Sequence, residues 1–220
     1  GEMCAVSTSM ETAAESPPGY HHGNLREALV AAGLAHLDAG RSPDFSLREL
    51  TRQVGVSANA AYRHFASKED LLIAMALEGF RRLTLEQASA IQAQASLAAG
   101  FMAAGRAYVA FAQRHPALFR LMFGRFVASN GSEELRAAAR MAYDGMRHCV
   151  AAVLVRPVDD AQVEVAAAHT WSVIHGLGHL LIDGQFDTKT ADIERLIEAV
   201  LQYGDKVPPP DGAAILPTPV

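Results

Sequence analysis

The chain has 220 residues but only two cysteines, Cys4 and Cys149. That excludes a disulfide framework and fits a reducing compartment, so a cytoplasmic protein is expected. Long apolar runs are missing as well. The strongly apolar stretch Val150–Val155 is far too short to span a bilayer. No basic, apolar, small-residue pattern of a signal peptide opens the sequence. Positive charge is not in excess. The net charge is −5, and residues 20–70 carry six Lys/Arg against six Asp/Glu. Any nucleic-acid role must therefore rest on where charge is placed. Catalytic signatures are scarce too. There is no Gly-rich phosphate loop, no GxSxG and no HExxH, so an enzyme is not expected, nor a cofactor or metal.

Proline is absent from 44–115, and no Val/Ile/Thr alternation marks a strand. Helical periods run almost throughout, so an all-α fold is expected. Residues 1–19 (GEMCAVSTSMETAAESPPG) and the proline-rich 208–220 read as loose tails. Between them lie a three-helix unit over 20–66 and a larger bundle over 67–207. Helix 1 spans about Asn24–Ala39, with Asn24 as cap and Gly40 as stop. Helix 2 opens at Ser46 with Glu49 three residues on, a capping box, and stops at Gly55. Helix 3 covers Ser57 to about Phe65. Helix 4 opens at Ser67 and continues to about Ala95. Further helices are expected over 97–114, 116–127, 132–155, 160–183 and 189–203.

The stretch VGVSANAAYRHFASKEDLL (54–72) buries little and carries many hydrogen-bonding groups. Leu50 and Val54 lie four apart on helix 2. Gly55 suits a sharp turn, and Ala61 is small enough for one helix to cross another. Asn59 pairs well with adenine and Arg63 with guanine or phosphate. Ala58 and Ala60 let the backbone come close to bases. Tyr62, His64 and Lys68 offer donors to phosphates, the helix starts at Ser46 and Ser67 could hold anions, and Ser57 begins the helix that would lie against a duplex. Short αα-hairpins with glycine turns also occur where no DNA is bound.

The segments YHHGNLREALVAAG, FSLRELTRQVGVS and AYRHFASKEDLL together resemble the DNA-binding domain of the tetracycline-repressor (TetR) family of bacterial regulators. The resemblance implies phosphate contacts at Tyr62, His64 and Lys68, and a base-reading surface at Ala58, Asn59, Ala60 and Arg63. Thr51 departs from the family's usual alanine. The segment around Tyr20, His22 and Gly23 resembles one subgroup and would brace a phosphate ahead of helix 1.

In the bundle, Ala168, Ser172 and Gly176 form a small-residue stripe. Ile193, Leu196, Ile197, Val200 and Leu201 fall at i, i+3, i+4, i+7, i+8. These two helices form either a dimer interface or a monomer core. The family resemblance favours a homodimer on a pseudo-palindromic double-stranded operator. The Trp171-x-x-x-His175-Gly176 pattern resembles a TetR C-terminal subgroup. The aromatic and methionine stripe (Phe101, Phe111, Phe119, Met122, Phe123, Phe126) reads as core by itself. The resemblance implies a pocket there for an unknown small-molecule effector, with His148, Trp171 and His175 as polar contacts. Two other readings stand beside this one: a metal- or cofactor-binding enzyme using His175 and His179, and a helical module that binds a partner protein.

Overall fold

The structure, a computed structural model, describes residues 24–129, 132–186 and 193–203. The expected tails, together with Tyr20, His22 and Gly23, lie outside them. Among the described residues there are ten helices and no strand. The first three are α1 (Leu25–Asp38), α2 (Leu47–Val54) and α3 (Ala58–Tyr62). The long α4 (Lys68–Gln92) leads to α5 (Leu97–Arg114), α6 (Pro116–Phe123) and α7 (Arg125–Ser129). The chain ends in α8 (Glu133–Leu154), α9 (Ala161–Ile182) and α10 (Ile193–Tyr203).

Local chemistry sets most boundaries. Ser46 and Ser67 both close capping boxes, with Glu49 and Asp70 at the third helical position. Each serine oxygen accepts from a backbone N–H that the helix leaves unpaired. Gly55 ends α2 at φ +77°, a left-handed conformation that disfavours any side chain. Pro116 opens α6, where its missing N–H costs nothing.

Three expectations need correction. Asn24 makes no side-chain cap bond to α1. Helix α3 stops at Tyr62 rather than Phe65, because Phe65 must turn inward, where it is 2% exposed. The single helix expected over 116–127 is two, parted at Gly124. Its backbone there is extended (φ −83°, ψ 177°). A Cβ at that position would collide with the Arg120 carbonyl oxygen.

One contiguous apolar core runs from Leu25 in α1 to Ile197 in α10. Helix α4 belongs to both halves. Its start packs with α1, its length lies along α5, and it meets α6 and α8 as well. The approach of α6 to α4 is close: a Cβ on Gly79 would lie 2.5 Å from the Met122 sulfur. A second tie is a hydrogen bond. His115, between α5 and α6, meets Asp38 at the end of α1 at 2.8 Å.

A candidate DNA interface and a cavity in the bundle

The three-helix unit buries Leu47, Leu50 and Thr51 of α2 and Ala61 of α3. The Thr51 hydroxyl donates to the Arg48 carbonyl at 2.8 Å, so its burial leaves no polar group unpaired. Ala61 is fully buried, which leaves no room for a larger side chain where the helices meet. The opposite side of α3 and the residues after it are open. Asn59, Tyr62, Arg63 and His64 are exposed, and Ala58 and Ala60 are half-buried. Ser57 caps α3 by accepting from the Ala60 N–H at 3.2 Å.

Ser46 is placed less favourably for a phosphate than expected. Its N–H donates to Glu49 Oε2 at 2.6 Å, and its hydroxyl accepts from the Glu49 N–H at 3.2 Å. The Ser46 backbone bond holds the Glu49 carboxyl below its ordinary range. A carboxylate thus already occupies that helix terminus and would repel an anion. Lys68 rests half-buried with its ammonium 5.0 Å from the Phe45 ring. It uses no carboxylate partner among the described residues.

The arginines divide sharply. In the bundle, Arg81, Arg82, Arg106, Arg114, Arg120, Arg136, Arg140, Arg147 and Arg156 sit in ion pairs, while Arg125 is exposed and forms none among the described residues. Around the helix-turn-helix, Arg41, Arg48, Arg52 and Arg63 are exposed and form no ion pair among the described residues. Arg48 and Arg52 went unnoticed in the sequence. Their signal was available: Leu47, Leu50, Thr51 and Val54 point one way, so positions 48 and 52 point the other.

In the bundle, a cavity of about 640 Å³ opens between α4, α5, α8, α9 and α10. Such volumes are usual for small-molecule sites. Of the expected pocket residues, Phe101, Phe123 and Trp171 line it. Phe111, Phe119 and Met122 do not; each is fully buried in the core. Phe126 packs partly buried on that core. His148 faces solvent, its Nδ1 bonded to the Asp144 carbonyl at 2.8 Å. Val200 and Leu201, expected at a dimer interface, line the cavity instead. Sequence reading missed the walls given by α4 and α8, including Gln87, Ile91, Ala142 and Met146.

His175 lies behind this wall. Its Nδ1 meets the Tyr108 hydroxyl at 2.8 Å, and that same oxygen accepts from Trp171 Nε1 at 3.3 Å. Burial, with His179 beside it, pushes the His175 imidazole down to about 4. It is therefore neutral, and a single hydrogen bond joins its Nδ1 to the Tyr108 hydroxyl. Among the described residues no group of three His, Cys, Asp or Glu is placed to hold a metal ion.

A pH effect follows. An unfolded histidine takes a proton near 6.5, whereas His175 resists one down to about 4. Between those values the unfolded chain binds more protons, so stability falls as pH drops through that window. Glu78, held to about 2 chiefly by its bond from Arg81, releases its own share only below its ordinary 4.5. Above 4.5 the effect therefore isolates the histidine. His175→Gln keeps an acceptor for Tyr108 and removes the proton site. Melting temperatures at pH 7 and pH 5 should differ less in that variant than in the natural chain. An unchanged difference would refute the buried neutral imidazole.

An exposed helix-turn-helix with unpaired arginines, joined through one long helix to a chamber for a small molecule, defines a DNA-binding regulator. The sequence model described as "Bacterial regulatory proteins, tetR family" matches residues 41–75. The one described as "Tetracyclin repressor-like, C-terminal domain" matches residues 101–203. Between them they span more than half the chain, which belongs to the tetracycline-repressor family of transcription regulators. That membership sets the enzyme reading aside.

Among solved structures, the chain resembles a protein of unknown function from Rhodococcus sp. RHA1. The two share 29% identity and a TM-score of 0.71, over 86% of this chain and 96% of that one. A tetR-family regulatory protein from Rhodococcus RHA1 shares 22% identity and a TM-score of 0.58, over 80% and 95%. The multidrug binding protein EbrR, solved with imidazole, shares 20% and a TM-score of 0.54, over 90% and 100%. No curated protein matches the sequence significantly.

Proposed function

We propose that two copies of this chain grip a pseudo-palindromic operator as a repressor, each laying the open side of α3 in a major groove. The division of the arginines carries this reading. A bundle in which nine arginines sit in ion pairs and Arg125 does not lies beside a unit that leaves Arg41, Arg48, Arg52 and Arg63 unpaired among the described residues. Unpaired exposed guanidiniums suit a polyanion. Asn59 and Arg63 read bases, with Ala58 and Ala60 allowing close approach. Tyr62, His64 and Lys68 hold phosphates, joined by Tyr20, His22 and Gly23. Such a regulator works beside the chromosome, in the bacterial cytoplasm. No helix among the described residues is long and apolar enough to cross a membrane.

The second copy docks on α9 and α10. Ser172 and Leu180 are exposed on α9, Ala168 and Gly176 are half-buried, and a Cβ on Gly176 would meet open space. On α10, Leu196, Ala199 and Tyr203 fall on one face, and Tyr203 is 67% exposed. Ile197, Val200 and Leu201 belong to the monomer instead. Ile197 is buried in its own chain's core. Leu201 sits where a Cβ on Gly105 would lie 3.0 Å from it. An Arg106–Glu198 bond of 2.6 Å holds this side of α10 on α5. Ile193's side chain lies outside the described residues.

An effector in the cavity resets the spacing of the two α3 helices if it binds one spacing more tightly. Helix α4 lines the cavity with Leu83, Thr84, Gln87 and Ile91 and begins beside the DNA-binding unit. Phe123 places α6 on the cavity, and α6 also packs on α1. The Trp171-x-x-x-His175-Gly176 pattern then marks a subgroup whose chamber is backed by the Tyr108–Trp171–His175 hub.

Lys68→Ala tests the phosphate role. Two copies lose one contact each, so the slope of log affinity against log salt should become shallower by about two. Affinity should fall alike for all sequences. A change in sequence preference with an unchanged slope would contradict it.

A further inference from the structure

We infer that the effector is an uncharged, elongated, lipophilic molecule. This deepens the reading of the cavity as the effector site and rests on it. Not one of the lining residues is Asp, Glu, Lys or Arg. The charges nearest the walls in sequence are already engaged. Arg106, next to Gly105, pairs with Glu198 at 2.6 Å. Arg147, next to Met146, pairs with Asp144 at 3.1 Å and Glu164 at 3.2 Å. Glu86, next to Gln87, pairs with Arg114. A charged ligand would surrender its hydration and find no counter-ion in return.

The thiol and phenols of the walls stay neutral. Burial pushes the Cys149 thiol up, and burial and Glu164 do the same for the Tyr143 phenol. His169, exposed at the rim, is the lone lining imidazole. Tyr108 spends its hydroxyl on His175 and Trp171, so it offers a ring rather than a free donor. Gln87 gives one N–H to the Ala104 carbonyl at 3.2 Å. Its side-chain carbonyl has no partner among the described residues. Neutral hydrogen-bonding points of this kind orient a ligand without demanding charge.

Shape follows from the walls. Helix α8 lines the cavity from Ala139 to Leu154, a span of about 22 Å at the helical rise. The α9 wall runs from Gln162 to Ile174, about 18 Å. Such a trough fits an extended molecule better than a compact one.

Trp171 is the chain's single tryptophan and lines the cavity, so its fluorescence reports occupancy. The full chain is titrated at neutral pH with dodecan-1-ol, dodecanoate and dodecylammonium, each below its self-association limit. The alcohol should shift Trp171 emission saturably, with apparent affinity at least about ten-fold above either ion, since an unpaired buried charge is strongly penalised. Either ion binding as tightly as the alcohol, with the same Trp171 response, would overturn the inference and leave the cavity reading standing. No saturable response to any of the three would overturn both. Gln87→Glu supplies the missing counter-charge. Dodecylammonium should then gain on the alcohol by about ten-fold or more, and an unmoved ratio would count against an uncharged chamber.

Discussion

Phe119→Ala should lower the unfolding free energy by about 3–5 kcal/mol, the usual cost of emptying a buried phenylalanine site. Domains of this kind have roughly 5–15 kcal/mol in total, so the melting temperature should fall by roughly 6–20 °C. Phe119 is completely buried. Its ring centroid lies 5.5 Å from Tyr108, 4.9 Å from Phe123 and 5.3 Å from both His175 and His179. No neighbour is free to collapse into the hole without disturbing the Tyr108–His175 bond. Phe101→Ala is the contrast. Phe101 is half-buried on the cavity, so its loss should cost much less stability and alter ligand affinity instead. Thermal unfolding of both variants decides the matter. A stable Phe119→Ala chain with an altered ligand response would show that the ring lines a pocket after all.

Arg63→Ala should cost each half-site about 1–3 kcal/mol if the guanidinium reads a base. A dimer carries the change twice, so operator affinity should fall by about 2–6 kcal/mol, roughly 30-fold to more than 10⁴-fold. Arg63 is exposed and makes no ion pair among the described residues, so its removal should leave the unfolding free energy within about half a kcal/mol of its original value. Binding to a set of operators with single base changes separates two roles. A base reader relaxes selectivity at one position per half-site; a phosphate contact weakens all sequences alike. Undiminished affinity would remove Arg63 from the interface.

The helix boundaries were legible where their causes are local. Ser46 with Glu49, Ser67 with Asp70, Gly55 and Pro116 each act within a few residues, and each appears where its chemistry places it. Gly124 was passed over because the apolar period continues through Phe123, Phe126 and Val127, which masks a break in the backbone. The chamber was only half legible. Phe119 and Phe123 lie four apart on one helix, yet one is core and the other faces a void. What differs is the size of residues across the gap, such as Ala104, Gly105, Ala142 and Gly145, and no local pattern reveals which helices will face each other. The same ignorance misassigned α10. Its stripe is apolar because it must cover α5, so Ile197, Val200 and Leu201 turn inward. Exposed Leu180 and Tyr203 carry no distinguishing spacing.

Enrichment of duplexes from a random pool by the purified full-length chain tests the central claim most directly. Two α3 helices related by a two-fold axis should select inverted repeats, with half-site centres one helical turn or a whole multiple apart. Enriched sequences lacking that symmetry, or no enrichment over bulk duplex, would contradict the account.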